Sequence, residues 1–240
     1  MSRRNPAVLG EWGPRARRVV NANWRTPERW DRAAAAAGRR PRVFPSLCDP
    51  FEDRPDLIDT RVKFFDLMAR TPHLDWLLLT KRPEGAAASL RIARMQGLWP
   101  LPNAWLGVSV EGPAQLPRLD ALRAIPAALR FVSFEPLIAD VGPVDLRGIH
   151  WAIAGGESGR LARPCRISWL RALRDRCRAA DVPYYVKQLG RRPVPDEAAG
   201  DDDHRAAPAG RRPADRRGAD PARCPPDLRV REQPRPPGTD

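Results

Sequence analysis

Residues 75–95 read DWLLLTKRPEGAAASLRIARM, and this stretch contains the clearest strand-and-helix pattern of the chain. It opens with an apolar run from Asp75 to Thr80, which ends in the polar sequence Thr80-Lys81-Arg82. The residues from Glu84 to Met95 then have the composition and spacing of a helix. A strand that is apolar on both faces and leads into a helix is typical of a parallel sheet covered by helices.

The same strand-and-helix unit recurs along the chain. The pattern predicts further strands at 42–47, 105–110, 129–134, 150–154 and 183–186, and further helices at 24–38, 55–70, 115–124 and 168–180. Six strands that alternate with helices define the α/β class. Polar residues follow nearly every strand, whereas a doubly wound sheet gathers its ligand groups near one switch point. We therefore expect parallel βα repeats that form a TIM-type barrel, complete or partial.

The domain organisation follows from the same patterns. One βα-repeat barrel domain is expected over residues 24–190, after an irregular N-terminal segment at 1–23. Residues 191–240 form a Pro- and Arg-rich tail with few large apolar residues, so we expect it to be largely disordered. Within the tail, Pro226 to Glu232 alternates enough to dock on a sheet edge.

Composition limits the class of protein. The chain has 42 Lys and Arg against 29 Asp and Glu, a formal net charge of +13 that favours contact with nucleic acid or another polyanion. Almost all of this positive charge is arginine, which a GC-rich coding sequence would also produce. The four cysteines form no C-x-x-C pair, so neither a zinc module nor a disulfide framework is predicted. No apolar run is long enough to cross a membrane or to act as a signal peptide, and we expect a cytoplasmic protein.

The candidate ligand-binding residues follow the strands and would share one mouth if the barrel closes. They are Thr80, Lys81, Arg82, Ser109, Glu111, Ser133, Glu135, Gly155, Gly156, Glu157, Ser158, Lys187 and Gln188. Charges of both signs at such a rim predict a polar or phosphorylated ligand. The alternative is an ion-pair network that only orders the loops, with the two glycines serving a tight turn. Motifs of α/β-hydrolases, P-loop NTPases and zinc proteases are absent, and no catalytic residue or metal ligand is assigned.

Six motifs in this order resemble those of the phage Gp-thirty-seven/Gp-sixty-eight family, whose function is unknown. They are NWRTPERW at 23–30, LLTKRP at 78–83, GVSVE at 107–111, SFEPL at 133–137, GGESG at 155–159 and KQLG at 187–190. The resemblance runs from about residue 10 to residue 190 and returns at 227–232. It implies a similarity to radical S-adenosylmethionine proteins, which are partial TIM barrels whose first strand leads into a cysteine motif that binds a 4Fe–4S cluster.

The resemblance also sets expectations for cofactors. The chain lacks the cysteine motif, so we expect it to begin after the family's first strand and to be inactive as it stands. The cluster and S-adenosylmethionine are implied by the resemblance alone. Gly155, Gly156 and Glu157 resemble the motif that contacts the methionine amino group, although here they follow a late strand. A missing first strand would leave an open sheet edge, through which the chain would self-associate.

Three functions are compatible with the sequence. The first is a phage-type protein that resembles radical S-adenosylmethionine enzymes and acts on an unknown substrate. The second is a nucleic-acid-binding accessory protein that uses the barrel as a scaffold, as the net charge permits. The third is a barrel enzyme in which Lys81, Arg82 and Lys187 hold a phosphate group.

Overall fold

A single curled sheet of six parallel strands organises the fold. A computed structural model describes residues 23–45, 48–196 and 224–234. Within them, neighbours in the sheet follow the chain order β1 (Arg42–Val43), β2 (Asp75–Thr80), β3 (Ala104–Ser109), β4 (Leu129–Phe134), β5 (Trp151–Gly155) and β7 (Tyr184–Gln188). A second sheet pairs only β6 (Cys165–Arg166) with β8 (Pro193–Val194). The sequential order means that the chain winds in one direction, as in a TIM barrel, and the sheet forms a half barrel.

Helices cover the outer face of this half barrel. The described residues contain α1 (Arg25–Ala36), α2 (Ile58–Arg70), α3 (Pro83–Met95), α4 (Pro117–Arg123) and α5 (Ile167–Ala179). Proline stands in the first turn of both α3 and α4, where its missing N–H costs no hydrogen bond. None of the helices in this part of the chain is long and apolar enough to cross a bilayer. The elements confirm the predicted α/β class and the barrel-type arrangement of parallel strands.

Alternate residues of the strands face the two sides of the sheet. Trp76, Leu78 and Leu106 pack with the helices in the larger core. On the inner, concave face a separate cluster joins Leu77, Trp105, Leu129, Phe131 and Trp151. Because both faces are apolar, the strands read as continuous apolar runs in the sequence.

The inner face is filled in layers from the N-terminal ends of the strands. The indoles of Trp105 and Trp151 meet edge to face at 6.3 Å, and the guanidinium of Arg42 lies 5.0 and 5.2 Å from their ring centres. The ring of Phe131, whose register partners are Gly107 and Trp151, lies directly against Gly107. Further toward the C-terminal ends of the strands the inner face carries Ser109 and Ser133, beside Ile153, which pairs with Ser133.

The C-terminal segment covers one edge of the sheet, as the alternation at 226–232 predicted. Arg231 forms an antiparallel bridge with Tyr185, and the amide of Val186 donates to the Val230 carbonyl at 2.9 Å. The Trp151 indole N–H donates to the Glu232 carbonyl at 3.1 Å. Residues 224–234 are therefore packed on β7. The other edge strand, β1, has β2 as its one partner strand in the described structure.

Several predicted features differ in extent or lie outside the described residues. Of the strand expected at 42–47, the structure has Arg42–Val43 as a strand, and residues 46–47 lie outside the described residues. The short β6–β8 sheet was not predicted. No helix joins β4 to β5; turns, bends and irregular backbone fill 135–150. Most of the predicted N-terminal segment, 1–22, lies outside the described residues, as do 197–223 and 235–240 of the predicted tail.

Substituting Gly107→Ala tests the layered packing of the inner face. A β-carbon at this position would overlap the ring of Phe131, so we expect the free energy of unfolding to fall by about 1–3 kcal/mol, measured by urea denaturation. Gly112→Ala is the control, since its β-carbon would make an ordinary contact, 3.4 Å from that of Ala139, and should change stability by less than about 0.5 kcal/mol. Equal effects of the two substitutions would contradict the packing described.

Candidate functional site

Two serines stand side by side at the C-terminal end of the inner face. Ser109 and Ser133 are paired residues of β3 and β4, and they are only 2 % and 4 % exposed. Neither hydroxyl has a hydrogen-bond partner among the described residues, yet neither is completely enclosed. Leaving a buried polar group unpaired costs about 1–3 kcal/mol, so the two hydroxyls are suited to a bound molecule.

Two glutamates continue the same two strands beyond the serines. The carboxylate of Glu111 is 12 % exposed and pairs with Lys81 and, at 3.0 Å, with Arg118. The carboxylate of Glu135 is 13 % exposed and receives the Lys187 ammonium at 2.9 Å. The lysine side chains are about half exposed, 54 % for Lys81 and 50 % for Lys187. Each buried carboxylate is thus covered from the solvent side by a lysine.

The two carboxyl groups differ in acidity. Burial raises the pKa of Glu135 above its usual value of about 4.5, although Lys187 acts against this. Burial also acts to raise the pKa of Glu111, but the hydrogen bond and charge of Lys81 and the charge of Arg118 outweigh it and lower that pKa. Neighbouring carboxyl groups whose pKa values are pushed apart are common in functional sites.

Thr80 and Arg82 take a different role from Lys81. The carboxylate of Asp49 accepts hydrogen bonds from the Thr80 hydroxyl at 2.8 Å and from the Arg82 guanidinium at 2.7 Å. It also accepts from the amide of Phe51 at 3.0 Å. Asp49 therefore ties the segment after β1 to the end of β2, and Thr80 and Arg82 serve this link.

The glycines after β5 join that strand to the end of β7. A β-carbon on Gly156 would overlap the carbonyl of Leu189. Gly190, at φ +84°, lies against Gly156, and the side-chain amide of Gln188 donates to the Gly156 carbonyl at 2.8 Å. Close packing of backbone accounts for glycine at 156, and Gln188 reinforces the same junction.

Glu157 folds onto its own loop. Two nitrogens of the Arg163 guanidinium bind its carboxylate at 2.8 and 3.1 Å, and the Arg163 amide donates to it at 2.9 Å. These hydrogen bonds, more than any other contact, lower the pKa of Glu157. Ser158 beside it is exposed. The glutamate of the GGESG segment is therefore bound by Arg163, in the loop that follows it.

Six of the predicted residues come together at the mouth, a name used here for Lys81, Ser109, Glu111, Ser133, Glu135 and Lys187. The remaining seven predicted residues lie around it in the two connections described above. Sequence reasoning missed Asp49, Arg118 and Arg163. Arg118 and Arg163 lie outside the strand ends, where no pattern marks them, whereas Asp49 does follow β1 and had a positional signal.

The cations predicted to hold phosphate all have carboxylate partners. Lys81 is paired with Glu111, Arg82 with Asp49 and Lys187 with Glu135. A phosphate group would have to displace one of these carboxylates from its cation. The arrangement suits a ligand that carries both signs of charge better than a simple anion.

The cysteines do not fit an iron–sulfur cluster. All four lie in the described residues, and Cys165, Cys177 and Cys224 belong to the core on the helix-covered side of the sheet. Burial raises the pKa of the Cys165 and Cys177 thiols to about 12, which disfavours the thiolates that bind iron. Cys48 is the one cysteine that follows a strand of the six-stranded sheet, and a single thiol cannot hold a cluster. No group of three or more His, Cys, Asp or Glu side chains converges within the described ranges.

Comparison with known proteins identifies the family. The family model described as "Protein of unknown function (DUF5131)" matches residues 3–216 of the chain. Neither the curated proteins nor the solved structures gave a match.

The opposite pKa shifts of the mouth carboxyls predict opposite effects of pH on stability. Glu135 binds its proton more tightly when folded, so wild-type stability relative to Glu135→Gln should fall as pH rises from about 4.5 through the folded pKa. Glu111 has a lowered folded pKa, so stability relative to Glu111→Gln should be present above about pH 4.5 and fall as the solution is acidified below it.

Urea denaturation at a series of pH values measures both effects. Differences that slope in the same direction for Glu111→Gln and Glu135→Gln would contradict the assignment.

Proposed function

The chain belongs to the DUF5131 family of unknown function, and we propose that it binds S-adenosylmethionine at the mouth, as a protein similar to radical S-adenosylmethionine enzymes. The observation that carries this proposal is the pair of nearly buried hydroxyls of Ser109 and Ser133, which have no partner among the described residues and lie beside two lysine-covered glutamates. They lie at the C-terminal ends of parallel strands, where barrel proteins build their ligand sites.

The ligand's functional groups match those of the mouth. S-adenosylmethionine carries ribose hydroxyls, an ammonium, a carboxylate and a sulfonium. Serine hydroxyls both donate and accept hydrogen bonds, so Ser109 and Ser133 suit the ribose hydroxyls. Glutamates accept from an ammonium, and lysines donate to a carboxylate. The buried apolar cluster that contains Phe131 lies on the same face of the sheet, toward the N-terminal ends of the strands.

The other two functions receive less support. A phosphate group would have to compete with the carboxylate partners of Lys81, Arg82 and Lys187 and brings no cation to replace them. A nucleic-acid-binding role rests on the net charge of +13, but charge alone gives only general attraction to polyanions. Some of the arginine charge is also held in ion pairs, as where Arg171 and Arg174 bind Asp227.

The proposal covers binding and not cleavage. In radical enzymes an iron–sulfur cluster supplies the electron that splits the sulfonium. The cysteines of this chain do not fit such a cluster, so no cleavage step is assigned to its residues. What the mouth residues would do is hold the ligand's hydroxyls and charged groups in a fixed orientation.

Isothermal titration of the full chain with S-adenosylmethionine tests the proposal. Ser109→Ala and Ser133→Ala should each weaken binding about fivefold, because a hydrogen bond contributes about 1 kcal/mol. Ser89→Ala, on the helix α3, is the matched control and should bind as wild type. An absence of binding to wild type, or a Ser109→Ala/Ser133→Ala double variant that binds equally well, would overturn the proposal.

Metal analysis tests whether the cysteines of this chain can hold an iron–sulfur cluster. After anaerobic reconstitution with iron and sulfide and removal of unbound metal, we expect well below one iron per chain, because the buried thiols are protonated and do not converge. About four irons and four sulfides per chain, lost on changing any of the cysteines to serine, would show that the cysteines rearrange to bind a cluster.

A further inference from the structure

Lysine is rare in this chain, and its few positions are informative. Only three of the 42 basic Lys and Arg residues are lysine, namely Lys63, Lys81 and Lys187. Two of the three lie at the mouth, each on a nearly buried glutamate. A chain that uses arginine almost everywhere else thus uses lysine as the solvent-side partner of both mouth carboxylates.

Arginine and lysine hold a carboxylate differently. Arginine presents a rigid fork that makes two parallel hydrogen bonds, whereas lysine presents a compact ammonium on a flexible chain. Around the mouth, Arg163 grips Glu157 through two nitrogens, and Arg118 joins Glu111 to the Ser109 carbonyl. The connections that fix loops are made by arginine.

The ion pair of Glu135 and Lys187 has the features expected where a ligand's cation replaces the lysine. Glu135 is nearly buried and stays with the sheet, while Lys187 is half exposed and holds it by one contact of 2.9 Å. Glu111 differs, because Arg118 also binds its carboxylate, at 3.0 Å, and would still hold it without Lys81. Lysine is therefore the partner that can move, and Glu135 is the carboxylate that a ligand's cation can take over.

We infer that Glu135 receives the ammonium of the ligand's amino-acid group and that Lys187 is an exchangeable counter-ion, which swings outward to bind the ligand's carboxylate. The class of group recognised is an α-amino acid zwitterion. This inference rests on the proposed function and names the part of S-adenosylmethionine that the Glu135–Lys187 pair binds. Burial raises the pKa of Glu135, so its carboxylate is incompletely compensated by one lysine and would gain from a closer cation.

The small number of lysines makes the exchange measurable. Protein labelled with ¹³C at the lysine ε-carbon has three signals, which Lys→Arg variants assign. We expect the Lys187 signal to shift on addition of S-adenosylmethionine or L-methionine, and not with 5′-methylthioadenosine, which lacks the amino-acid group. Lys63, on helix α2 away from the mouth, is the internal control and should not shift.

A conservative substitution gives a second readout. Lys187→Arg keeps the charge, but its guanidinium would hold Glu135 through two hydrogen bonds. We therefore expect S-adenosylmethionine to bind about tenfold more weakly. Lys63→Arg should leave binding unchanged. The affinity for 5′-methylthioadenosine should be the same in wild type and Lys187→Arg, because that ligand needs no exchange.

The outcomes separate the two proposals. Binding of S-adenosylmethionine with an unmoved Lys187 signal and an unaffected Lys187→Arg variant would overturn the exchange and leave the proposed function standing. No binding of S-adenosylmethionine would overturn the proposed function. In that case the Lys187 signal on addition of L-methionine tests the inference: a shift supports it, and an unmoved signal overturns it.

Discussion

The contact between the Phe131 ring and Gly107 is the constraint on which the mouth depends. Parallel strands that are apolar on both faces must bury the concave face as well as the helix-covered one. The ring of Phe131 occupies the space that the absent side chain of Gly107 leaves, in the same buried cluster as Trp105 and Trp151. This packing closes the half barrel from below, so that Ser109 and Ser133 form the floor of a polar site.

Most of the sheet could be predicted from the sequence, because strands buried on both sides leave continuous apolar runs. The bounds of β2 and β4 match the predicted 75–80 and 129–134. The two-residue strands β6 and β8 are too short to leave such a pattern. The docking of 226–232 was predictable from alternation, but its position on β7, with Glu232 bonded to Trp151, depends on contacts distant in sequence.

The sequence could predict only those site residues that follow the ends of strands. Residues two apart share a face of a strand, so Ser109 with Glu111 and Ser133 with Glu135 fall together. The same rule could not assign Thr80 and Arg82, whose partner Asp49 lies about 30 residues earlier. Nor could sequence separate glycines that approach a ligand from Gly156, which makes room for the backbone of β7.

Hydrogen–deuterium exchange of the full chain with and without S-adenosylmethionine tests the central claim, that the mouth is the ligand site. We expect slower amide exchange at the ends of β3, β4 and β7, covering residues 109–111, 133–135 and 187–188. Residues 123–130 and 145–148, at the opposite end of the barrel, should exchange at unchanged rates. Protection confined to that opposite end, or to the helix-covered side, would contradict it.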